Sequence, residues 1–280
     1  MEMHQYIDKT YDDFLTYQEL VIEILDEFHR ICKKHDFPYV VAYGTLLGFI
    51  RDGGNIPWDY DVDVLLPYTY IDRLIKVLKT DLSSGFYYVY EDNTRNYPTS
   101  CLRICKCGYS YMALHVDVFF LIGCPSEKKE QQIFKNKIRW ICNARQAKTL
   151  NQHLHPDRNL GLFRRIITYI RYPVSMKWIL KQEKKLSSQF QYEECQYCTA
   201  FFPFAKTYTR RYYDEIQICE INGREYNIPK AYDSCLTEWY GNYHEYLPIS
   251  KRFEEFYHMK KNIDERQDVY QKYLKQNIEQ

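Results

Sequence analysis

The sequence predicts an α+β fold: a mixed sheet flanked by helices, followed by a largely helical C-terminal extension. Three observations lead there. Apolar residues recur at helical spacing in Asp12–His35 and again after Pro67. Between and beyond these runs lie β-prone segments, Asp59–Pro67 and His115–Phe120, rich in valine and phenylalanine. From residue 126 onward, charged helical patterns dominate, interrupted by one hairpin signal. The expected division is therefore a core at 1–125 and an extension at 126–280 that packs on it.

Composition narrows the class. The chain has 280 residues, with 45% hydrophobic and 27% charged, which is ordinary for a globular protein. A formal net charge of +1 argues against a dedicated nucleic-acid binder, which carries a clear basic excess. Residues 1–11 lack the apolar core of a secretory signal, and no run is long enough to span a bilayer, so a cytoplasmic protein is expected. Ten cysteines without framework spacing read as free thiols. The abundance of tyrosine, 29 residues, has no functional reading.

Taken in order, Leu20, Val21, Ile24, Leu25, Phe28 and Ile31 form the apolar stripe of a first helix, Asp12–His35, closed by Asp36-Phe37-Pro38. Tyr39–Tyr43 reads as a short strand feeding Gly44-Thr45, after which Thr45–Ile50 makes a helical turn whose amides would face a phosphate. A turn through Gly53-Gly54-Asn55 and Pro57 leads to Asp59-Tyr60-Asp61-Val62-Asp63-Val64. If this segment is a strand, its three carboxylates share one face. Such a cluster repels itself strongly in a low dielectric. Bound protons or a divalent cation would neutralise it. Oxygen donors with no nearby histidine favour magnesium or manganese. An acidic solvated turn is the plain alternative, weakened by Val62, Val64, Leu65 and Leu66.

A second helix follows over Pro67–Lys79, then strands at Phe86–Tyr90, Ser100–Cys105 and His115–Phe120. Asp117 alternates with Val116 and Val118. It is either an edge carboxylate in water or a further ligand beside Asp61 and Asp63. Ser126–Cys142 reads as a helix with a solvated basic face, and Asn151–Asn159 as a loop. Gly161–Leu186 is apolar and basic together, split by Pro173. It is either a core helix with a wet back or a surface for peripheral contact with an anionic membrane. Cys195-x-x-Cys198 is two ligands short of a zinc site unless the fold brings other cysteines to it. Asn222-Gly223 marks a hairpin over Glu215–Ile228, Ala231–Tyr240 a helix ending at Gly241, and the tail from Arg252 is polar.

The segment GTLLGFIRDGGNIPWDYDVDV, Gly44–Val64, resembles the signature of the LicD family of phosphotransferases, which includes fukutin and fukutin-related protein. Glu238-Trp239-Tyr240-Gly241-Asn242-Tyr243 with Leu247-Pro248 resembles that family's C-terminal YGDY…LP block. Asp117 falls on the first aspartate of an IDIFPLD-like block, whose trailing acid is here Leu121-Ile122-Gly123. The resemblance implies a nucleotidyltransferase-like core and a metal-dependent transfer of a phospho-alcohol. The implied donor is a CDP-activated alcohol, such as CDP-choline or CDP-ribitol. The implied acceptor is a sugar hydroxyl of a cell-surface glycan, possibly reached through a lipid-linked precursor at the inner face of the membrane. On this reading Asp61, Asp63 and Asp117 are catalytic and, with Asp59, hold Mg2+ or Mn2+, while Gly44, Thr45, Arg51 and Arg103 bind phosphate. Trp58 and Tyr60 are candidates for stacking on a base, and Lys106 is a further candidate cation. The rival readings are a nucleotidyltransferase releasing pyrophosphate from an NTP, and a non-catalytic glycan- or nucleotide-binding protein.

Overall fold

In the computed structural model, helix α1 (Glu2–Lys34) turns Val21, Ile24, Leu25, Phe28 and Ile31 inward, all fully buried. Described are residues 2–95, 97–149, 166, 170–203, 206–252 and single positions 254–256, 258, 261 and 264. The expected loop at 151–159, residues 161–165 and most of the polar tail lie outside them. Helix α1 starts well before the expected Asp12. It ends where Asp36 takes a left-handed φ of 50° ahead of Phe37-Pro38.

Strand β1 (Val40–Val41) leads into helix α2 (Tyr43–Arg51), and β2 (Val62–Pro67) returns beside β1. The acidic segment is thus only partly strand, because Asp59 and Asp61 precede β2 in a loop. The reason is topological. After Val41 the neighbouring chain winds into α2, so residues 59–61 have no strand to pair with. Gln18 of α1 holds them instead, its Nε2 donating to the carbonyls of Ile56 (2.9 Å) and Asp59 (2.6 Å).

A single 3-10 turn, Tyr68–Tyr70, separates β2 from helix α3 (Ile71–Asp81), which begins later than Pro67. Then come β3 (Phe86–Val89), β4 (Leu102–Lys106) and β5 (His115–Cys124), the last buried along its whole length. The extension supplies helices α4 (Lys128–Thr149) and α5 (Met176–Ser187) and strands β6 (Tyr197–Ala200) and β7 (Tyr208–Thr209). It continues with a hairpin, β8 (Ile216–Ile221) and β9 (Arg224–Pro229), and helix α6 (Tyr232–Tyr240). The hairpin turns as expected through Asn222 (φ 50°) and Gly223 (φ 75°).

The seven-stranded sheet runs β1-β2-β5-β4-β3, with β6 on the far half of β5 and β7 beyond it. Only β2 and β5 are parallel. Helices flank this mixed sheet, which is the α+β class expected. The extension is less helical than expected, since β6 and β7 complete the core sheet. Four residues, Tyr197–Ala200, are too few to show an alternating pattern in sequence. A smaller apolar core, with Phe134, Ile138, Ile141, Ile179 and Leu186, joins α4 to α5.

Gly48 lets the glycine turn fold back onto α2. A β-carbon there would sit 2.5 Å from the Gly54 carbonyl oxygen and 2.8 Å from the Ile56 nitrogen, both rigid backbone. Gly48→Ala should therefore lower stability by about 1–3 kcal/mol in urea denaturation. An unchanged midpoint would contradict this packing.

Candidate active site

The parallel register Val62↔Val116, Asp63↔Asp117, Val64↔Val118 sets two carboxylates side by side on one face of the sheet and the valines on the other. On the next strand Arg103 lies opposite Asp117. Asp63, Asp117 and Arg103 thus form a row across β2, β5 and β4.

Arg103 and Asp117 are both buried and doubly bonded. Nε donates to Oδ1 at 2.7 Å and Nη2 to Oδ2 at 3.4 Å, while Nη1 donates to the Tyr111 carbonyl at 3.0 Å. The Cys101 thiol donates to Oδ1 at 3.3 Å, and His115 Nε2 lies 3.5 Å from Oδ2. Burial alone would raise the Asp117 pKa, but Arg103 and His115 outweigh it and hold the carboxyl well below the usual range. His115 is held below its own ordinary pKa by burial and by Arg103.

Asp63 has the opposite balance. Burial raises its pKa, the charges of Asp61, Asp117 and Asp59 raise it further, and Arg103 offsets only part. Asp59 is also raised, by burial and then by neighbouring Asp61. Arg103 thus offsets the charge of Asp117, while Asp59 and Asp63 are shifted toward the protonated form.

The start of α2 closes this cluster from the side. A β-carbon at Gly44 would lie 2.5 Å from Asp59 Oδ2, so glycine is needed because the Asp59 carboxyl presses against the helix start. Thr45 is buried, and its Oγ1 accepts the Asp63 N–H at 2.9 Å, tying helix to strand. Tyr43 holds a left-handed φ of 48° just before Gly44, a strained conformation for a tyrosine. The first amides of α2 and the carboxylates thus share one locality.

Not every candidate reaches it. Arg51 is two turns along α2 from Gly44, about 10 Å. There it pairs with Asp52 at 2.9 Å beneath the Tyr246 ring, 4.3 Å from its centroid. Tyr60 is buried against Tyr17 and Phe256. The Arg252 guanidinium covers Trp58, 5.7 Å from the ring centroid, and Lys106 pairs with Glu23. Conversely, the structure adds Cys101, His115 and Tyr240. Tyr240 is 44% exposed, and partial burial with the charges of Asp63 and Asp59 raises the pKa of its hydroxyl. Its neighbour Trp239 packs on Tyr43 at 4.9 Å between centroids. The two sequence blocks, around Gly44 and around Tyr240, thus meet in space.

A cleft of about 60 Å³ opens beside Asp117 and Arg103, walled by Phe119, Phe201 and Phe202. The loop entering β4 along this cleft is held from beneath by buried Arg145 of α4. That side chain donates to the Tyr97 carbonyl at 2.9 Å and pairs with Glu183, whose carboxyl burial pushes up to about 7. A larger cavity of about 570 Å³ lies apart from the carboxylates, between α1 and the hairpin turn, lined by Gln18, Asn55, Asn222 and Tyr226.

Asp59, Asp61 and Asp63 offer only oxygen donors, and burial and mutual repulsion raise the pKa of Asp59 and Asp63. This donor chemistry fits Mg2+ or Mn2+. Asp117 fits less freely, because both its oxygens are already engaged by Arg103, Cys101 and His115. The expectation of no nearby histidine also needs correcting, since His115 is there, bound to Asp117. Among the described residues, no three His, Cys, Asp or Glu side chains are gathered into a ready cage.

Carboxylates on paired parallel strands beside a helix start suit a transferase of phosphorus-containing groups, the class to which the comparisons with known proteins also point. Residues 36–163 match the family model described as LicD/FKTN/FKRP, nucleotidyltransferase domain. The chain is also 26% identical over 265 residues to lipopolysaccharide cholinephosphotransferase LicD of Haemophilus influenzae, spanning 82% of this chain and 91% of the relative. Over these residues the chain is similar to the LicD family.

The charge balance predicts a pH signature. The folded pKa of Asp63 lies above its ordinary 3.8, so folding carries no penalty from it at low pH. As pH rises past about 4, the unfolded chain ionises while the folded chain resists, and stability falls by about 1.4 kcal/mol per unit of elevation. Asp63→Asn removes this loss. Its melting temperature should exceed wild type without metal by a margin that grows as pH rises from about 4 toward the folded pKa, and magnesium should close the gap. A gap independent of pH would contradict the assignment.

Proposed function

We propose that the chain transfers phosphocholine from a CDP-activated donor to a hydroxyl of a cell-surface glycan, releasing CMP. The observation that carries this reading is the convergence of Asp59, Asp61 and Asp63 with the glycine-started helix α2. The relative's own activity, cholinephosphotransferase on lipopolysaccharide, supplies the donor group and the acceptor class. A cytoplasmic site of action goes with it, since nucleotide-activated donors are made there.

In this reading Asp61 and Asp63, supported by Asp59, hold Mg2+ or Mn2+. When bound, the cation neutralises charge on the donor's pyrophosphate and polarises its oxygens. The protein's own residues do the rest. The amides of Gly44 and Thr45 orient a phosphate at the start of α2. Asp117 fixes Arg103, whose guanidinium lies in the same row and supplies hydrogen-bond donors there, its charge largely balanced by that carboxylate. With its carboxyl so far below the usual range, Asp117 is a poor proton acceptor, so its part is to fix Arg103 rather than to act as base. The Tyr240 hydroxyl, held neutral, donates a hydrogen bond toward the same place. Phe119 and Phe202 wall the cleft and keep water from competing with the glycan hydroxyl.

The family model's description, a nucleotidyltransferase domain, favours one second reading, in which an NTP is attacked and pyrophosphate leaves. The leaving group separates the two. With magnesium, CDP-choline and a glycan acceptor, wild type should release CMP, and Asp61→Asn and Asp63→Asn should each lower turnover by more than about a hundredfold, of the order seen when a charge-stabilising group is removed. Gly44→Ala should lose activity as well, by displacing the Asp59 carboxyl. Pyrophosphate from CTP, with no CMP from CDP-choline, would overturn the first reading.

A further inference from the structure

We infer that one exposed face, built by α4 and α5, docks on an anionic lipid bilayer. Two stripes make it. On α4, Lys129, Ile133, Lys137 and Trp140 follow at helical spacing and all face solvent. On α5, Lys177, Trp178, Lys181 and Lys185 do the same. Trp140 and Trp178 touch edge to face, 5.7 Å between centroids, and so fuse the stripes into one surface. These are large rings left in water, 39% and 40% exposed, and Ile133 beside them is 49% exposed.

Basic side chains dominate this face, on which Glu130 is the one exposed acid of the two helices. The only acid of α5, Glu183, points inward to Arg145, and α4 carries a single acid, Glu130, in its first turn. Among the described residues no carboxylate pairs with Lys137, Lys181 or Lys185. Basic stems around exposed indoles suit the boundary between headgroups and acyl chains, where tryptophan settles and lysine meets anionic headgroups. A nucleic acid would leave Ile133 and the two indoles unused. Contact is peripheral, because no helix among the described residues is long and apolar enough to cross a membrane.

The opposite side of the same helices serves the active-site cleft. Cys142 and Gln146 of α4 line the cleft beside Asp117, and Glu183 of α5 holds Ser100 of its rim. A docked chain would thus carry its cleft about one helix diameter, roughly 10 Å, from the lipid surface.

Sedimentation with vesicles tests this on the full chain. Wild type should bind phosphatidylcholine vesicles containing phosphatidylglycerol, not phosphatidylcholine alone, with a blue shift of tryptophan emission. Lys181→Glu with Lys185→Glu should weaken binding more than tenfold, given about fivefold per removed charge, at an unchanged melting temperature. Trp140→Ser with Trp178→Ser should abolish the blue shift. Equal binding to neutral and anionic vesicles, no binding to either, or wild-type binding by the lysine variant would overturn the proposal, whichever donor the enzyme uses.

Discussion

The repulsion among Asp59, Asp61, Asp63 and Asp117 is the constraint around which this molecule is built. Four carboxylates are held within reach of one another where water screens them poorly. Such an arrangement persists only if something neutralises it. Arg103 neutralises one member permanently, through a buried pair that needs β4 and β5 in register. Burial and neighbouring carboxylates raise the pKa of Asp59 and of Asp63, which favours bound protons there. The asymmetry matters chemically. The guanidinium is fixed, whereas the protons are exchangeable, so only one half of the cluster is open to a cation.

Much of the fold serves to hold that half in place. Gln18 reaches from α1 to pin the acidic loop, Thr45 ties α2 to β2, and the missing side chain of Gly44 gives Asp59 its position. The C-terminal helix α6 closes the site by packing Trp239 on Tyr43 and bringing Tyr240 to the carboxylates. These contacts link residues about 200 positions apart in the chain, which is why two short blocks at either end read as one signature.

The repeating elements were legible in sequence because their periodicity is local. The α1 stripe, the β5 run and the Asn222-Gly223 turn need no partner to be recognised. The row Asp63–Asp117 was legible as residue types, since a charge between valines is conspicuous. What escaped depends on pairing. That Asp59 and Asp61 leave the strand follows from how short β1 is, and that Arg51 faces Asp52 and Tyr246 follows from a contact with the distant C-terminal block. The tie between Asp117 and His115 is written in adjacent positions, but nothing local says that both side chains stay buried together. Tyr240 was legible as part of the C-terminal block, but its nearness to the carboxylates comes only with the fold.

The central claim is that a divalent cation takes the place of protons on Asp59 and Asp63. Calorimetric titration of magnesium into the chain near neutral pH, in two buffers of different ionisation heat, counts the protons displaced on binding. This account predicts binding with a net release of protons that is lost in Asp63→Asn. Binding without proton release, or release that survives the substitution, would contradict it.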